Sequence, residues 1–248
     1  MQNNWDFVKF DKVNTCNNLS NFVEGESNTL ALALVKSIAI EKQMNFLNLL
    51  FLTGDIGTGK THLVKSIVNE SNTNYKIRKS LYLRCETFIY NYIQAVKENC
   101  ISNFANFYLE YDVIVIDDVH LLFNKDMSQK FLKEILDLFS NENKTIVLTS
   151  LVLLNELRGG FEEGLFSRLT KSVVVHINKP SKNTKIEILN VKSIQYDLKI
   201  APDLIEKLME DDNKSVRELE GELITLLAKS TILGCTPTLK FYREHFEK

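Results

Sequence analysis

The sequence predicts an α/β fold, in which a five-stranded parallel sheet flanked by helices precedes a small all-helical domain. Five short apolar runs alternate with helical stretches over roughly the first 180 residues, which is typical of a parallel sheet. One run, Val113–Ile116, consists of β-branched residues and is typical of a strand buried on both faces. Only helical patterns follow Ser181, so we predict an α/β domain over residues 1–179 and a helical domain over residues 180–248.

Each predicted strand is a mostly apolar run between polar or turn residues. The first run precedes a glycine-rich turn, the third ends in two aspartates, and the fourth ends in hydroxyl residues. In chain order, the strands are predicted within Leu47–Leu52, Ser80–Leu83, Tyr111–Asp118, Thr145–Thr149 and Ser172–Ile177.

The helices are predicted from apolar residues that recur every three or four positions and from residues that suit helix ends. Ser27 and Asn28 suit the start of the first helix, and Pro202 suits a first turn. Ser215 and Glu218 have the spacing of a capping box. The predicted helices run from Thr29 to about Lys42, over His62–Val68, Thr87–Glu98, Ser102–Tyr108 and Met127–Phe139, and then over Asn183–Tyr196, Pro202–Asp211, Ser215–Gly234 and Thr238–Glu247.

The composition indicates an ample core and nearly balanced charge. Hydrophobic residues make up 44% of the 248, and the formal net charge of −2 argues against a chain that wraps nucleic acid by charge alone. The four cysteines lack paired metal-ligand spacing and no signal peptide precedes them, so we expect free thiols. No apolar run approaches the roughly 20 residues of a membrane span. We therefore expect a cytoplasmic protein with no membrane span.

The turn after the first predicted strand has the sequence of a phosphate-binding loop. It reads Gly54-Asp55-Ile56-Gly57-Thr58-Gly59-Lys60-Thr61, and His62 follows it. Glycines allow backbone N–H groups to turn inward around phosphate oxygens, and the next helix adds its positive N-terminal dipole. Lys60 would contact the β- and γ-phosphates, and the Thr61 hydroxyl would bind Mg²⁺. The alternative is a tight strand-to-helix turn with a solvated lysine.

Two aspartates, Asp117 and Asp118, end the third predicted strand. In open α/β sheets, ligands bind beyond the carboxyl ends of the strands. With a phosphate-binding loop upstream, Asp117 would hold Mg²⁺ through water and Asp118 would polarise the attacking water. The alternative is an ordinary acidic junction between a strand and a loop.

Two further polar positions are candidates for contact with the nucleotide phosphates. Thr149, at the end of the fourth strand, would sense the γ-phosphate; an ordinary strand end is the alternative. Arg217 would lie in a first helical turn, where the macrodipole disfavours a cation unless an anion is near. A nucleotide phosphate is one such anion, and an exposed, solvated arginine is the alternative.

Together, these motifs resemble the AAA+ domain of the DnaA family of bacterial chromosomal replication initiators and their relatives, such as the Hda regulators. The phosphate-binding loop alone indicates only a nucleotide-hydrolysing class, whereas the last matching segment is much more specific. The segments that match span almost the whole chain: Phe22–Asn28, Asn48, Gly54–Leu63, Ile116–Val119, Leu148–Ser150, Ser167–Leu169 and Val216–Gly221.

The resemblance implies an AAA+ P-loop NTPase that binds ATP or ADP with Mg²⁺. It implies that the N-terminal segment 1–28, which includes Phe22 and Asn28, borders the adenine pocket together with Asn48. It also places His62 in the loop region of the nucleotide site.

The resemblance assigns further roles to three residues. It places Thr149 at the position called sensor 1 and makes Arg217 the sensor 2 arginine of a helical lid. It makes Arg168 an arginine finger that acts on nucleotide bound to a neighbouring subunit. A surface arginine at a loop is the alternative for Arg168.

The sequence departs from the family pattern at functional positions. Leu151 replaces the usual acidic residue after sensor 1, and Gly164 replaces an arginine one helical turn before the finger. Met127 stands where initiators have a basic residue that grips single-stranded DNA, although Lys125 is nearby and Ile93 keeps the apolar character of another contact position. We therefore expect at most weak binding of single-stranded DNA, through Ile93 and Lys125.

These observations predict an ATP-dependent switch protein that acts in the initiation of chromosomal replication or its regulation, assembles through Arg168 and hydrolyses ATP slowly. One alternative is a Hda-like regulator that docks on an initiator, and another is a helicase loader of the DnaC/IstB type. The implied partners are DnaA, the replicative helicase and the sliding clamp. No helix-turn-helix domain that reads DNA is expected in this chain.

Overall fold

The computed structural model describes residues 5–40, 47–75 and 78–246. Its strands form one fully parallel sheet in the order β2-β3-β4-β1-β5. This sheet confirms the predicted five-stranded α/β fold. The strands are β1 (Leu49–Thr53), β2 (Ser80–Arg84), β3 (Val113–Asp117), β4 (Thr145–Ser150) and β5 (Val173–His176).

Most helices of the described α/β part lie close to their predicted positions, but the helix that carries Arg168, Glu163–Leu169, was not predicted. In addition, α2 begins at Lys60, directly after the glycine loop, rather than at His62. The first helix is described as far as Ile40, and its predicted end near Lys42 lies outside the described residues. The helices are α1 (Thr29–Ile40), α2 (Lys60–Asn69), α3 (Cys85–Lys97), α4 (Ile101–Tyr108), α5 (Asp126–Asn141) and α6 (Glu163–Leu169).

The sheet and three of these helices share an aromatic core. All five residues of β3 are buried, which explains its run of β-branched side chains. Helices α3, α4 and α5 contribute Phe88, Phe104, Tyr108 and Phe131, and five of the six pairs among these rings have centroids between 5.3 and 6.1 Å apart. Burial of each large side chain stabilises the fold by about 1.5–3 kcal/mol.

The strand order brings the candidate motifs to one edge of the sheet. Strand β4 lies between β1 and β3, and all three run in the same direction. Their carboxyl ends lead into the glycine loop, into Asp117–Asp118 and into Thr149–Ser150. Parallel pairing therefore places these three segments side by side, where ligands of open α/β sheets bind.

Contacts between Cα atoms divide the chain into two units, and the second contains the helical segment from Asn178 onward. This unit also includes Asn21–Thr29 and Ile56–Thr58, which the predicted boundary assigned to the first domain. Its apolar core includes Leu189, Leu204, Leu208, Leu219, Leu226 and Phe241. Its helices are α7 (Lys182–Gln195), α8 (Pro202–Leu208), α9 (Val216–Leu233) and α10 (Leu239–Phe246).

Helix α9 begins with the predicted capping box. The Ser215 hydroxyl accepts a hydrogen bond from Glu218 N (3.3 Å), and the Glu218 carboxylate accepts one from Ser215 N (2.7 Å). Among the described helices of both units, none combines the length and the apolar character that crossing a membrane requires.

Candidate nucleotide site

The glycine loop has the backbone conformation that a phosphate cradle requires. Gly57 and Gly59 have φ angles of 81° and 96°, a region that residues with a Cβ atom rarely adopt. Gly59 is also the N-cap of α2 and carries no side chain that could accept hydrogen bonds from the first turn. The first N–H groups of α2 therefore suit an anionic ligand.

The Lys60 side chain folds back over the loop that precedes it. Its ammonium donates hydrogen bonds to the carbonyl oxygens of Gly54 (2.6 Å) and Asp55 (2.9 Å), and the residue is 5% exposed. A buried ammonium needs such partners, because transferring an unpaired charge out of water is costly. The positive charge of Lys60 is thus held at the loop itself.

The loop and the third strand meet at Thr61 and Asp117. The Thr61 hydroxyl donates a hydrogen bond of 2.9 Å to Asp117 Oδ2, and Asp117 is 2% exposed. The structure therefore brings together the two residues that the sequence predicted as Mg²⁺ ligands.

Two more hydroxyls bind the same carboxylate. Tyr82, on the neighbouring strand β2, donates to Asp117 Oδ2 over 2.8 Å, and Thr149 donates to Asp117 Oδ1. The Thr149 oxygen also accepts a hydrogen bond of 2.9 Å from the backbone N–H of Asp118. The Thr149 hydroxyl is therefore positioned by Asp117 and by the backbone of Asp118 at the end of β4.

Asp118 has a strained backbone and a more exposed carboxylate. Its φ and ψ angles are 64° and 46°, a left-handed conformation that is uncommon for residues other than glycine and is enriched at functional sites. Its side chain is 40% exposed, in contrast to that of Asp117. Burial, and then the charge of Asp117, raise the pKa of Asp118 above its ordinary value.

His120 connects the Asp118 segment to the end of β4. Its Nδ1 atom accepts a hydrogen bond of 3.3 Å from the backbone N–H of Leu151 and lies 3.9 Å from Asp118 Oδ1. Burial lowers the pKa of His120, in agreement with a neutral ring that carries its proton on Nε2. The sequence analysis assigned His120 no role, and its position beside the site becomes visible only in the structure.

Part of the segment predicted to border the adenine base, residues 23–28, forms a hydrogen-bonded turn. Asn28 is buried; its Oδ1 accepts from Gly25 N and its Nδ2 donates to Val23 O, both over 3.0 Å. Phe22 is partly buried. In the first unit, His62 Nε2 lies 3.0 Å from Asn18 O.

Asn48 does not lie where the sequence interpretation expected it. It immediately precedes β1, whereas the glycine loop follows the other end of that strand. At about 3.3 Å per strand residue, Asn48 is roughly 20 Å from Gly54. The structure therefore argues against a role of Asn48 in an adenine pocket beside this loop.

Arg168, near the end of α6, is held within its own chain. Its guanidinium forms a two-point ion pair with the Asp137 carboxylate of α5, including Nη2 to Oδ2 at 2.7 Å. Its Nη1 donates to the carbonyl oxygen of Gly164 over 2.9 Å. The hydrogen bond with Asp137 raises the pKa of Arg168 above its ordinary value, so the side chain remains charged.

In the helical unit, the start of α9 lies next to Gly57. A Cβ atom on Gly57 would be 3.5 Å from the backbone nitrogens of Val216 and Arg217 and from Ser215 Cβ. Arg217 is therefore the second residue of a helix whose N-terminus faces the loop segment Ile56–Thr58 of this unit.

The predicted contacts with single-stranded DNA lie on two different elements. Ile93 is on α3 and is 43% exposed, and Lys125 is an exposed residue immediately before α5. Met127, which replaces the basic residue of initiators, is 61% exposed.

A parallel sheet in which an inner strand leads through a glycine loop into a helix defines the P-loop class of α/β folds. The protein-family description "Bacterial DnaA ATPAse domain" matches residues 13–176. The chain therefore belongs to the family of bacterial DnaA ATPase domains.

Individual relatives agree with this assignment. The chain is 33% identical over 225 residues to the chromosomal replication initiator protein DnaA of Buchnera aphidicola subsp. Baizongia pistaciae, an alignment that covers 91% of this chain and 49% of that protein. Domain III of the Thermotoga maritima replication initiation protein DnaA matches with a TM-score of 0.87 at 26% identity, over 96% of this chain and 98% of that one.

A structure of the replication initiator DnaA bound to AMPPCP and single-stranded DNA matches with a TM-score of 0.77 at 28% identity. That match covers 90% of this chain and 67% of the other. The chain spans about half the length of the curated relatives it matches.

Proposed function

We propose that this chain binds ATP and ADP with Mg²⁺ and acts in the cytoplasm as a nucleotide-dependent switch in the initiation of chromosomal DNA replication. Membership of the DnaA ATPase-domain family supports the role in replication initiation. The AMPPCP bound in a related initiator structure supports the binding of adenine nucleotides. The main structural support for this site is the hydrogen bond between Thr61 and Asp117, because it joins the glycine loop to the acidic end of β3.

The donor atoms fit a magnesium ion. A threonine hydroxyl and a carboxylate within 2.9 Å of each other are the hard oxygen ligands that Mg²⁺ prefers, together with water and phosphate oxygens. Thr61 would bind the ion directly, and Asp117 would hold it through water. When bound, Mg²⁺ would neutralise negative charge that develops on the phosphates.

The residues around this position have distinct tasks. The N–H groups of the loop and of the α2 N-terminus bind phosphate oxygens, and Lys60 adds a full positive charge at the same place. The Asp118 carboxylate, which is the more exposed of the two acids, orients a water molecule for attack and accepts its proton. Hydrolysis resets the switch, and we propose that it is slow.

Two arginines would respond to whether ATP or ADP is bound. Arg217 starts α9 in the helical unit and would bind the γ-phosphate, whereas Arg168 would complete the site of a neighbouring copy. ATP can favour an assembled state only by its differential affinity for that state. Because Arg168 is paired with Asp137, a neighbour's nucleotide must replace this partner or share the guanidinium with it.

Weak binding of single-stranded DNA is part of the proposal, because the related AMPPCP-bound initiator was solved with such a strand. Exposed Ile93 and Lys125 are the candidate contacts, and exposed Met127 provides no charge for a phosphate.

Assembly in ATP and in ADP tests the proposed switch. We expect the wild type to form oligomers with Mg-ATP but not with Mg-ADP, measured by light scattering after size-exclusion chromatography. Arg168→Ala should lose the ATP-dependent oligomers, while Arg158→Ala, which changes an exposed arginine elsewhere in the same unit, should retain them.

Equal assembly of wild type and Arg168→Ala in both nucleotides would contradict the switch. Retention on an immobilised DnaA initiator or sliding clamp would then favour the Hda-like alternative, and retention on a replicative helicase would favour a loader.

A further inference from the structure

The Asp117 carboxylate is held by three hydroxyl groups. Thr61, Tyr82 and Thr149 come from α2, β2 and β4, and each is within hydrogen-bonding distance of Asp117. An ionised carboxylate has no proton to give, so all three hydroxyls must act as donors. Three separate elements therefore fix the orientation of one side chain.

Tyr82 and Thr61, which is a predicted metal ligand, bind the same oxygen atom of Asp117. The hydrogen bonds from Tyr82 (2.8 Å) and Thr61 (2.9 Å) both end on Oδ2 of Asp117. Tyr82 is 2% exposed, and the Lys65 ammonium lies 5.0 Å from the centroid of its ring, so the phenol is confined on its strand. The position of Oδ2 thus depends on Tyr82.

The direction of the Thr61 proton determines what its oxygen can bind. When the proton points to Asp117 Oδ2, the lone pairs of the Thr61 oxygen point elsewhere and are available to a cation. A carboxylate that rotated away would release this proton, and the hydroxyl would lose its fixed orientation. Groups that orient metal ligands in this way are needed for tight metal binding.

We propose that Tyr82 is a positioning residue of the metal–nucleotide site, which holds Asp117 so that Thr61 is oriented toward Mg²⁺. This inference rests on the proposed Mg-nucleotide function. It assigns Tyr82 no contact with the nucleotide, so its effect should be confined to the part of nucleotide affinity that depends on the metal.

The test compares two tyrosines that differ in their hydrogen bonds. Tyr82→Phe removes the hydroxyl that binds Asp117. Tyr108→Phe removes a fully buried hydroxyl on α4 that does not bind Asp117. Binding of a fluorescent ADP analogue would be titrated with Mg²⁺ for wild type and both variants, with EDTA as the metal-free reference and thermal melting as the check on folding.

We expect Tyr82→Phe to raise the Mg²⁺ concentration for half-maximal effect about tenfold, with unchanged affinity in EDTA. Tyr108→Phe should match the wild type. Equal Mg²⁺ dependence of all three proteins would overturn the role of Tyr82 while leaving the proposed function intact. An equal loss of affinity with and without metal would show a purely structural role and would also overturn it. If the wild type binds nucleotide without any response to Mg²⁺, the proposed function fails as well.

Discussion

At the scale of single residues, two adjacent aspartates are set up for different tasks. Asp117 is buried and accepts three hydroxyl donors, so its orientation is fixed. Asp118 is more exposed and adopts a left-handed backbone conformation. One carboxylate is thus suited to hold a metal and the other to act on water.

The proposed role of Asp118 predicts that replacing this residue impairs ATP hydrolysis but leaves nucleotide binding unchanged. Asp118→Asn keeps a residue that tolerates the left-handed conformation, so nucleotide affinity should remain near that of the wild type. Hydrolysis should fall by about 10²- to 10⁴-fold, because the general base is lost. Single-turnover release of phosphate from radiolabelled ATP measures the effect.

A second variant separates the chemistry from backbone strain. Asp118→Gly removes the cost of the left-handed conformation, so its thermal stability should equal or exceed that of the wild type while hydrolysis is lost. Hydrolysis at the wild-type rate in either variant would contradict the proposed role of Asp118.

Sequence reasoning identified residues with a characteristic pattern and missed those without one. The loop residues Lys60 and Thr61 and the acidic Asp117 were predicted because their spacing and residue types are specific. Tyr82 has no such pattern, and its role becomes visible only when β2 is known to lie beside β3. Asn48 was assigned to the wrong place because a motif near a strand does not say which strand end faces the ligand.

At the scale of elements, the N-terminal segment is attached to α3 and α4 through specific contacts. The backbone of Lys9 exchanges two hydrogen bonds of 2.9 Å with the Asn91 side chain. The Trp5 ring packs against Phe104 and Phe107, with centroids 5.4 and 5.8 Å away. The sequence contained no signal for these partners.

Asp11 attaches the same N-terminal segment to Arg84. Its carboxylate accepts hydrogen bonds of 2.8 Å from the backbone N–H and from Nε of Arg84, the residue that precedes α3. Burial alone would raise the pKa of Asp11, but hydrogen bonds from Arg84 and Thr87 outweigh it and lower the pKa below its ordinary value. The attachment therefore contributes stability above the unfolded pKa of 3.8, and this contribution is lost as the pH falls through the lower folded value.

This linkage predicts the effect of Asp11→Asn. At pH 7 the variant should be less stable by about 1 kcal/mol in urea denaturation. The difference from the wild type should be constant between pH 5 and 8 and should shrink below pH 3.8. Fluorescence of Trp5, the single tryptophan, reports whether the segment detaches. A difference that is absent at neutral pH, or that persists undiminished at pH 3, would contradict the role of Asp11.

At the scale of the whole molecule, the fold class and the order of elements follow from hydrophobic periodicity and turn residues. The strand order does not, because crossover connections leave no mark in the local sequence. The grouping of Asn21–Thr29 and Ile56–Thr58 with the helical unit likewise depends on contacts between distant parts of the chain. Sequence therefore predicted which segments contain the candidate site residues, and the structure was needed to show which side chains meet.

In the proposed function, the glycine loop and Asp117 form one site for a magnesium nucleotide. Calorimetric titration of the wild type with ATP, in Mg²⁺ and in EDTA, tests it most directly, with Lys60→Ala as the loop variant and exposed Lys130→Ala as its matched control. Loss of a charge-assisted contact with phosphate should weaken binding by Lys60→Ala at least about tenfold, while Lys130→Ala should bind like the wild type. Undiminished affinity of Lys60→Ala, or no heat of binding for the wild type in Mg-ATP, would contradict the claim.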